Sequence, residues 1–533
     1  MRFLFFLTIS ILLSQTSSAQ EESFVDYWDE AKTIKRSEGM YFSGMEHKLW
    51  TFWYDNGKVR EESNYFRGRF NGPSKIYHPN GQLNIEAYWD MGLQDSIMKV
   101  VSFEGELLES GEFAEGDKVG TWQYFYKDGS PRVKEHYDKG VLYLDEAWAV
   151  DGEQQIHDGQ GVLVELYPSG ALKSRVNYQG GLPNGAYVLY YPTKEIKQKG
   201  SFADGSKQGE WNEFFRDGRP SESLTYTNDT LDGPFTTWQD ADIKEVEGQF
   251  KRGKKNGEWT WWDEKGKVDI LGHFNEDIQD GHWTYFYSNG KVNYEGDYEE
   301  GLRTGLWEFF YMDGSPWRKG EYLNGKEEGE WVTWFENGQE LQKGSYTLGL
   351  EQGLWASWYE NGQKRDEGSF ETGHLNGLWK GWDEKGRQSY EGMWKEDAKT
   401  GKWTYWTEKG YTDEEGYFLE GERNGPWKDY GESGILISEG SFRGARPDGK
   451  WSYYYPFGGL MRTCVYVDGK LEGTVIDYHQ NGQVSSRCSY VNNKRQGLCS
   501  TFSEKGNPIE EQQYDAGVIK KKEPQAPKTK DSR

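Results

Sequence analysis

The chain has 533 residues, of which 35% are hydrophobic, and carries a formal net charge of −25. So acidic a surface repels phosphate backbones and anionic head groups, which argues against nucleic acid and an anionic membrane as partners. Aromatics reach 16%, with 25 Trp, 36 Tyr and 26 Phe beside 68 Gly, which excludes a disordered chain and sets the apolar surface on large flat rings among glycines.

In chain order, residues 1–19 (MRFLFFLTISILLSQTSSA) read as a signal peptide. Phe3 to Leu13 is apolar but too short to span a bilayer, and Ser17-Ser18-Ala19 places small residues before a cut after Ala19. The expectation is a secreted or periplasmic chain. Residues 20–48 form a predicted N-terminal cap, with Phe24, Tyr27, Trp28, Tyr41 and Phe42 available to cover the first hairpin and a short helical piece allowed near Phe24–Arg36.

A repeat begins at 49. In a first block, 49–141, Trp50, Ser74, Met98 and Trp122 follow one another at intervals of 24. Residues 142–160 hold a shortened or irregular unit, read as an insertion or register repair, with a specific binding loop as the sharper option. A second block, 161–519, keeps the spacing from Leu163 through Trp259, Trp283, Trp307, Trp331, Trp355, Trp379, Trp403, Trp427 and Trp451 to Cys499. The tail 520–533 (KKKEPQAPKTKDSR, counting from Lys520) is basic, contains Pro and is expected to be disordered.

Within a unit, counted from the Trp position, a Gly stands two residues earlier in most copies, an aromatic three later, a Gly seven later and an aromatic fifteen later. Trp-x-x-aromatic reads as a strand, and Asn361-Gly362 or Asp128-Gly129 as a hairpin turn with both central residues at positive φ. A second, Gly-containing turn leads to the next unit. The fold class is therefore all-β: tandem 24-residue β-hairpin repeats forming one elongated, twisted antiparallel sheet. A two-residue Asn-Gly turn sets Trp355 across from Gly368, which it would cover. A centred second turn sets Tyr298 directly across from Trp307, and Phe370 from Trp379.

The segment Gly353 to Phe370, GLWASWYENGQKRDEGSF, resembles the MORN repeat in its bacterial variant form, and the resemblance extends over about 50–517. Such chains are often grouped as YwqK-family antitoxins. The resemblance implies a repeat array engaged in protein–protein contact, with an antitoxin or immunity-type partner as a further alternative.

Motifs of catalysis are not found: no Gly-x-Ser-x-Gly elbow, no phosphate-binding loop and no His pair at ligand spacing. The expectation is no enzyme, no cofactor and no metal, with His273 and His282 close enough in sequence to meet across a turn. Cys464, Cys488 and Cys499 occupy Gly and Trp positions. Cys488 and Cys499 could be diagonal neighbours and bridge, or could simply be small residues in a degenerate unit. The reading is a non-catalytic scaffold for a protein partner in the cell envelope or outside the cell, with Trp331, Trp334, Trp355, Trp358, Trp379, Trp382, Trp403 and Trp406 as its candidate interaction surface. The alternative is a polysaccharide or cell-wall binding module using exposed rings as sugar platforms, or as cages for a cation.

Overall fold

The computed structural model describes residues 20–239 and 243–520. The expected signal peptide, 1–19, and the expected tail from 521 lie outside the described residues, and Lys520, the first of that tail, still donates its N–H to Gln513 O at 2.7 Å. The chain divides into two compact units, 1–255 and 256–533. Among the described residues there are 45 strands and no helix.

The first unit runs from Glu21–Tyr27 to Lys244–Lys251 as an antiparallel meander, each strand pairing with the one before and the one after. The helical piece allowed near Phe24–Arg36 is absent. Glu21–Tyr27 and Lys35–Phe42 are strands in register with each other, and the Phe24 ring lies 5.4 Å from Tyr41 and 5.7 Å from Trp50. The second unit, whose first strand is Lys254–Trp262, is likewise an antiparallel meander, ending at Val518–Ile519.

Each 24-residue repeat is one hairpin of a nine-residue and an eight-residue strand, such as Leu350–Trp358 and Lys364–Glu371. The two turns exchange the roles expected of them. At Asn361-Gly362 only the glycine has positive φ (+84°), with Gly362 N–H bonding Tyr359 O and Tyr359 N–H bonding Gln363 O. That is a type I turn closed by a glycine bulge rather than a primed two-residue turn. The Asn side chain is used elsewhere: its Oδ1 accepts from Gln363 N–H, and its Nδ2 donates to Glu384 O at 2.8 Å, in the next unit's turn. The primed turn is the second one, at Thr372-Gly373, where φ is +52° and +82°.

Register across the first turn is as expected, with Trp355 opposite Gly368 and Trp307 opposite Gly320. Across the second turn it is corrected. Tyr298 lies opposite Arg303, because Gly305, Leu306 and Trp307 together face Gly296 in a bulge of three residues against one. Gly305, at φ +62°, supplies the backbone bend. The rings still meet, edge to face at 5.2 Å, as diagonal rather than directly opposed neighbours.

The bulge also reverses the predicted cover. A Cβ on Gly296 would lie 2.4 Å from the Trp307 ring, and one on Gly344 would lie 2.0 Å from Trp355. Gly368, which Trp355 was expected to cover, lies under Trp379. Each Trp thus leans back onto the glycine eleven residues before it.

Candidate functional site

The tryptophan rungs form a core. Trp307 lies on Gly296 between the edges of Tyr298 and Tyr322, and its Nε1–H donates to Asp297 O at 3.1 Å. The same bond recurs in nine other ladder rings, among them Trp50, Trp283 and Trp451, satisfying the one polar atom of each of these. Trp427 differs: its Nε1–H donates to Asp429 Oδ1, a carboxylate at a position where Trp261, Tyr285, Phe309 and Tyr405 stand in other units. Burying such a ring removes roughly 150–250 Å² from water, which is how a single-layer sheet with few aliphatic residues acquires a core.

A pairing rule follows from this geometry. Every Trp of the ladder has Gly eleven residues earlier, from Gly39 with Trp50 to Gly440 with Trp451. Where that residue is larger, the ring shrinks: Ser63 faces Ser74, Ala87 precedes Met98, and Cys464 precedes Val475. Ser63 and Ser74 join their hydroxyls at 2.7 Å. Cys488 and Cys499 are one more such pair. They are directly opposed, not diagonal, with Cα atoms 4.3 Å apart, and are joined by a disulfide. Cys464 is free and buried, and burial pushes its thiol pKa up.

Of the eight candidate surface residues, Trp331, Trp355, Trp379 and Trp403 belong to this core, with exposures of 2 to 8%, and are corrected from surface to structure. Their faces are also occupied. Arg318 lies 4.2 Å from the Trp331 ring centre and Lys399 lies 4.3 Å from that of Trp403, as Arg303 does over Trp307 and Arg423 over Trp427. Lys399 also donates to Tyr405 Oη at 2.6 Å, and desolvation holds its ammonium pKa below the ordinary value. The cages considered for an external cation thus hold the chain's own side chains.

The other four, Trp334, Trp358, Trp382 and Trp406, are half-buried at the strand ends that enter the type I turns. The turn tyrosines tie them unit to unit: Tyr311 Oη donates to Trp334 O, and Tyr359 Oη to Trp382 O. The face opposite the ladder carries what sequence reading passed over. Leu354, Leu378, Met393 and Tyr417 are exposed by 65, 44, 40 and 43% and stand on four of the six strands from Leu350–Trp358 to Thr412–Leu419, with Ser369 opposite Leu354 and Lys402 opposite Tyr417. The ion pair Lys380–Glu391 borders Leu378 and Met393, while Lys402, paired with Glu415, stands opposite Tyr417. The signal was in the sequence, as Leu immediately before the buried Trp in Leu306, Leu354 and Leu378.

These repeats have a recognised counterpart. The family described as MORN repeat variant matches the chain at residues 46–66, 70–91, 118–139, 255–276, 279–300, 447–468 and 471–492. The chain carries MORN variant repeats at these seven places. Each match opens four residues before a ladder position, so a MORN unit here comprises the bulge, the ladder strand, the type I turn and the return strand. No curated protein matches the chain. Among solved structures, the crystal structures of TcdB2-TccC3 and TcdB2-TccC3-Cdc42 align at 10 and 9% identity, over 94 and 93% of this chain and 32 and 33% of theirs. Their TM-scores are 0.13 and 0.12, and the chain spans about a third of their length.

Polar clusters are tied up locally. His273 and His282 do not meet: His282 Nδ1 is 2.8 Å from Asp297, while His273 faces Asp280 at 3.9 Å. His374 bonds Asp397 at 2.6 Å, and that hydrogen bond raises the His pKa and lowers the Asp pKa. Among the described residues no group of three or more His, Cys, Asp or Glu is arranged to hold a metal. Among the described residues, two cavities lie beside aromatic and apolar side chains. One, of about 280 Å³, lies between Trp379, Tyr390, Trp394 and Trp403, where Gly381 replaces the aromatic of other units. The other, of about 900 Å³, lies in the first unit beside Trp148 and Leu163, at the shortened repeat.

Proposed function

We propose that this MORN-repeat chain is a non-catalytic scaffold that holds a protein partner against the face opposite its tryptophan ladder. The observation that carries the reading is the exposed set Leu354, Leu378, Met393 and Tyr417, with the directly opposed pair Leu378–Met393 at its centre and the ion pairs Lys380–Glu391 and Lys402–Glu415 beside and within it. An apolar centre with a charged rim is the make-up of a protein-binding patch. The net charge of −25 favours a protein over nucleic acid or anionic lipid, and the leader together with the Cys488–Cys499 disulfide supports an exported location. Polysaccharide is the weaker alternative, because four of the rings offered as platforms lie in the core.

The test is a pull-down with residues 20–533 against envelope-protein extract and insoluble cell-wall polysaccharide in parallel. The scaffold reading expects one captured protein, lost with Leu354→Arg/Leu378→Arg. Retention on polysaccharide, competed by soluble sugar and indifferent to those substitutions, would refute it.

A further inference from the structure

The shortened repeat leaves a gap in the sheet of the first unit. Its outgoing strand, Val141–Trp148, is nearly full length, but its return strand, Gln154–His157, has four residues where regular units have eight. The return strand pairs with the next strand, Gln160–Leu166, only through Ile156–Gly161 and His157–Gln160. It then turns away to pair with Ala147 and Trp148. The hairpin and the next strand therefore diverge like a wedge, and the cavity of about 900 Å³ fills the opening.

One side of that wedge is backbone. Val162–Leu166 pairs with Leu172–Gln179 on its far edge, and among the described residues no strand pairs with it on the near edge. The one near-edge bond is Val164 N–H to Gln155 Oε1 at 2.9 Å, a side-chain amide accepting where a strand's carbonyl would. Val133, Ala147, Trp148, Val150, Leu163 and Leu166 line the space together with the charged Arg132, Asp151, Glu153, Glu165 and Lys173. Val150 and Leu166 are 81 and 58% exposed at its mouth. An unpaired strand edge in the midst of a sheet, covered by a single amide, is not the usual way to protect an edge.

We propose that this wedge is a second binding site, which takes an extended, apolar segment of a protein partner by strand addition along Val162–Leu166. A peptide backbone supplies the alternating donors and acceptors that the edge lacks, and no compact small molecule does. The missing length of return strand corresponds to a guest of about four paired residues, the difference between the eight and four residues of the two strands. Its alternate side chains would pack on Leu163 and Ala147, and Gln155 would swing aside as the guest arrives. The proposal rests on the scaffold reading only in taking the ligand to be a protein. It uses a different site from the exposed leucine row.

The probe is an array of random twelve-residue peptides, offered to the full chain, to Gln155→Ala and to Leu354→Arg/Leu378→Arg. Peptides held by the wild type should slow amide exchange at 162–167, measured by hydrogen–deuterium exchange. Gln155→Ala removes the competing acceptor and should tighten their binding about fivefold, the worth of one hydrogen bond. The leucine-row variant should bind them unchanged, which separates failure here from failure of the patch. The proposal is overturned if neither wild type nor Gln155→Ala holds any peptide, or if bound peptides leave exchange at 162–167 unaltered.

Discussion

The repeats around Trp307 and the shortened repeat around Trp148 use the same hairpin, and their difference shows what the full length secures. At Trp307 the ladder strand and return strand pair from Gly305–Tyr322 to Phe310–Pro316, the glycine underneath is covered, and the indole N–H is bonded. Nothing on that backbone is left for a ligand, so partner choice passes to the exposed side chains of the opposite face. At Trp148 four residues of return strand are missing, and a backbone edge opens with a cavity beside it. Regularity makes a surface of side chains, and a break in it makes a site of backbone.

The largest effect that would break this comparison is at the regular rungs. Trp307→Ala should cost about 3–5 kcal/mol of local stability, as deletion of a buried aromatic does. It should be read as faster amide exchange across Leu302–Phe310 and its neighbours. Gly296→Val, forcing a side chain into the Trp307 ring, should cost about 1–3 kcal/mol. Leu354→Arg, by contrast, should change stability by less than about 0.5 kcal/mol. A leucine substitution as damaging as the tryptophan one would mean that the outer face is packed in the folded protein.

Next in size is the Cys488–Cys499 rung, which closes a separation of 11 residues. Reduction should cost about 2–3 kcal/mol by the loop-entropy argument. The double variant Cys488→Gly/Cys499→Trp should recover most of it by restoring the ordinary pair. Thr372, β-branched and held at φ +52° in a primed turn, carries strain that Thr372→Gly should relieve, raising stability by about 1 kcal/mol. The melting temperature of the two proteins decides it.

The smallest effect is the pH response of His374–Asp397. The raised His374 pKa contributes stability that is complete below the unfolded His value and is lost as pH rises through the folded value. The lowered Asp397 pKa contributes stability present above the unfolded Asp value and lost as pH falls through the folded one. Protection of the Glu396 and Asp397 amides, taken relative to the intrinsic exchange rate at each pH, should therefore be greatest between those limits, and Asp397→Asn should flatten the profile.

Much of this fold was legible because a strict 24-residue spacing leaves few alternatives: the hairpins, their order and the Trp355–Gly368 register follow from it. The lean of the rings was not, because the bulge at Gly305–Trp307 belongs to no turn signature and inverts which glycine is covered. The Asn-Gly turns were misassigned because the asparagine side chain serves the neighbouring unit's turn, a contact between residues 23 apart. At the candidate site, ring count alone suggested a surface. The glycine eleven residues before each Trp already marked those rings as core, and the Leu beside them marked the exposed face.

The central claim is that the ladder tryptophans are structure and not binding platforms. Limited N-bromosuccinimide oxidation of the native chain, located by peptide mass spectrometry, tests it without any ligand. Trp307, Trp331, Trp403 and Trp427, each at most 2% exposed, should resist while Trp317 and Trp28, at 42 and 45%, react. Oxidation of the ladder at the same rate as Trp317 would contradict the account and return those rings to the surface.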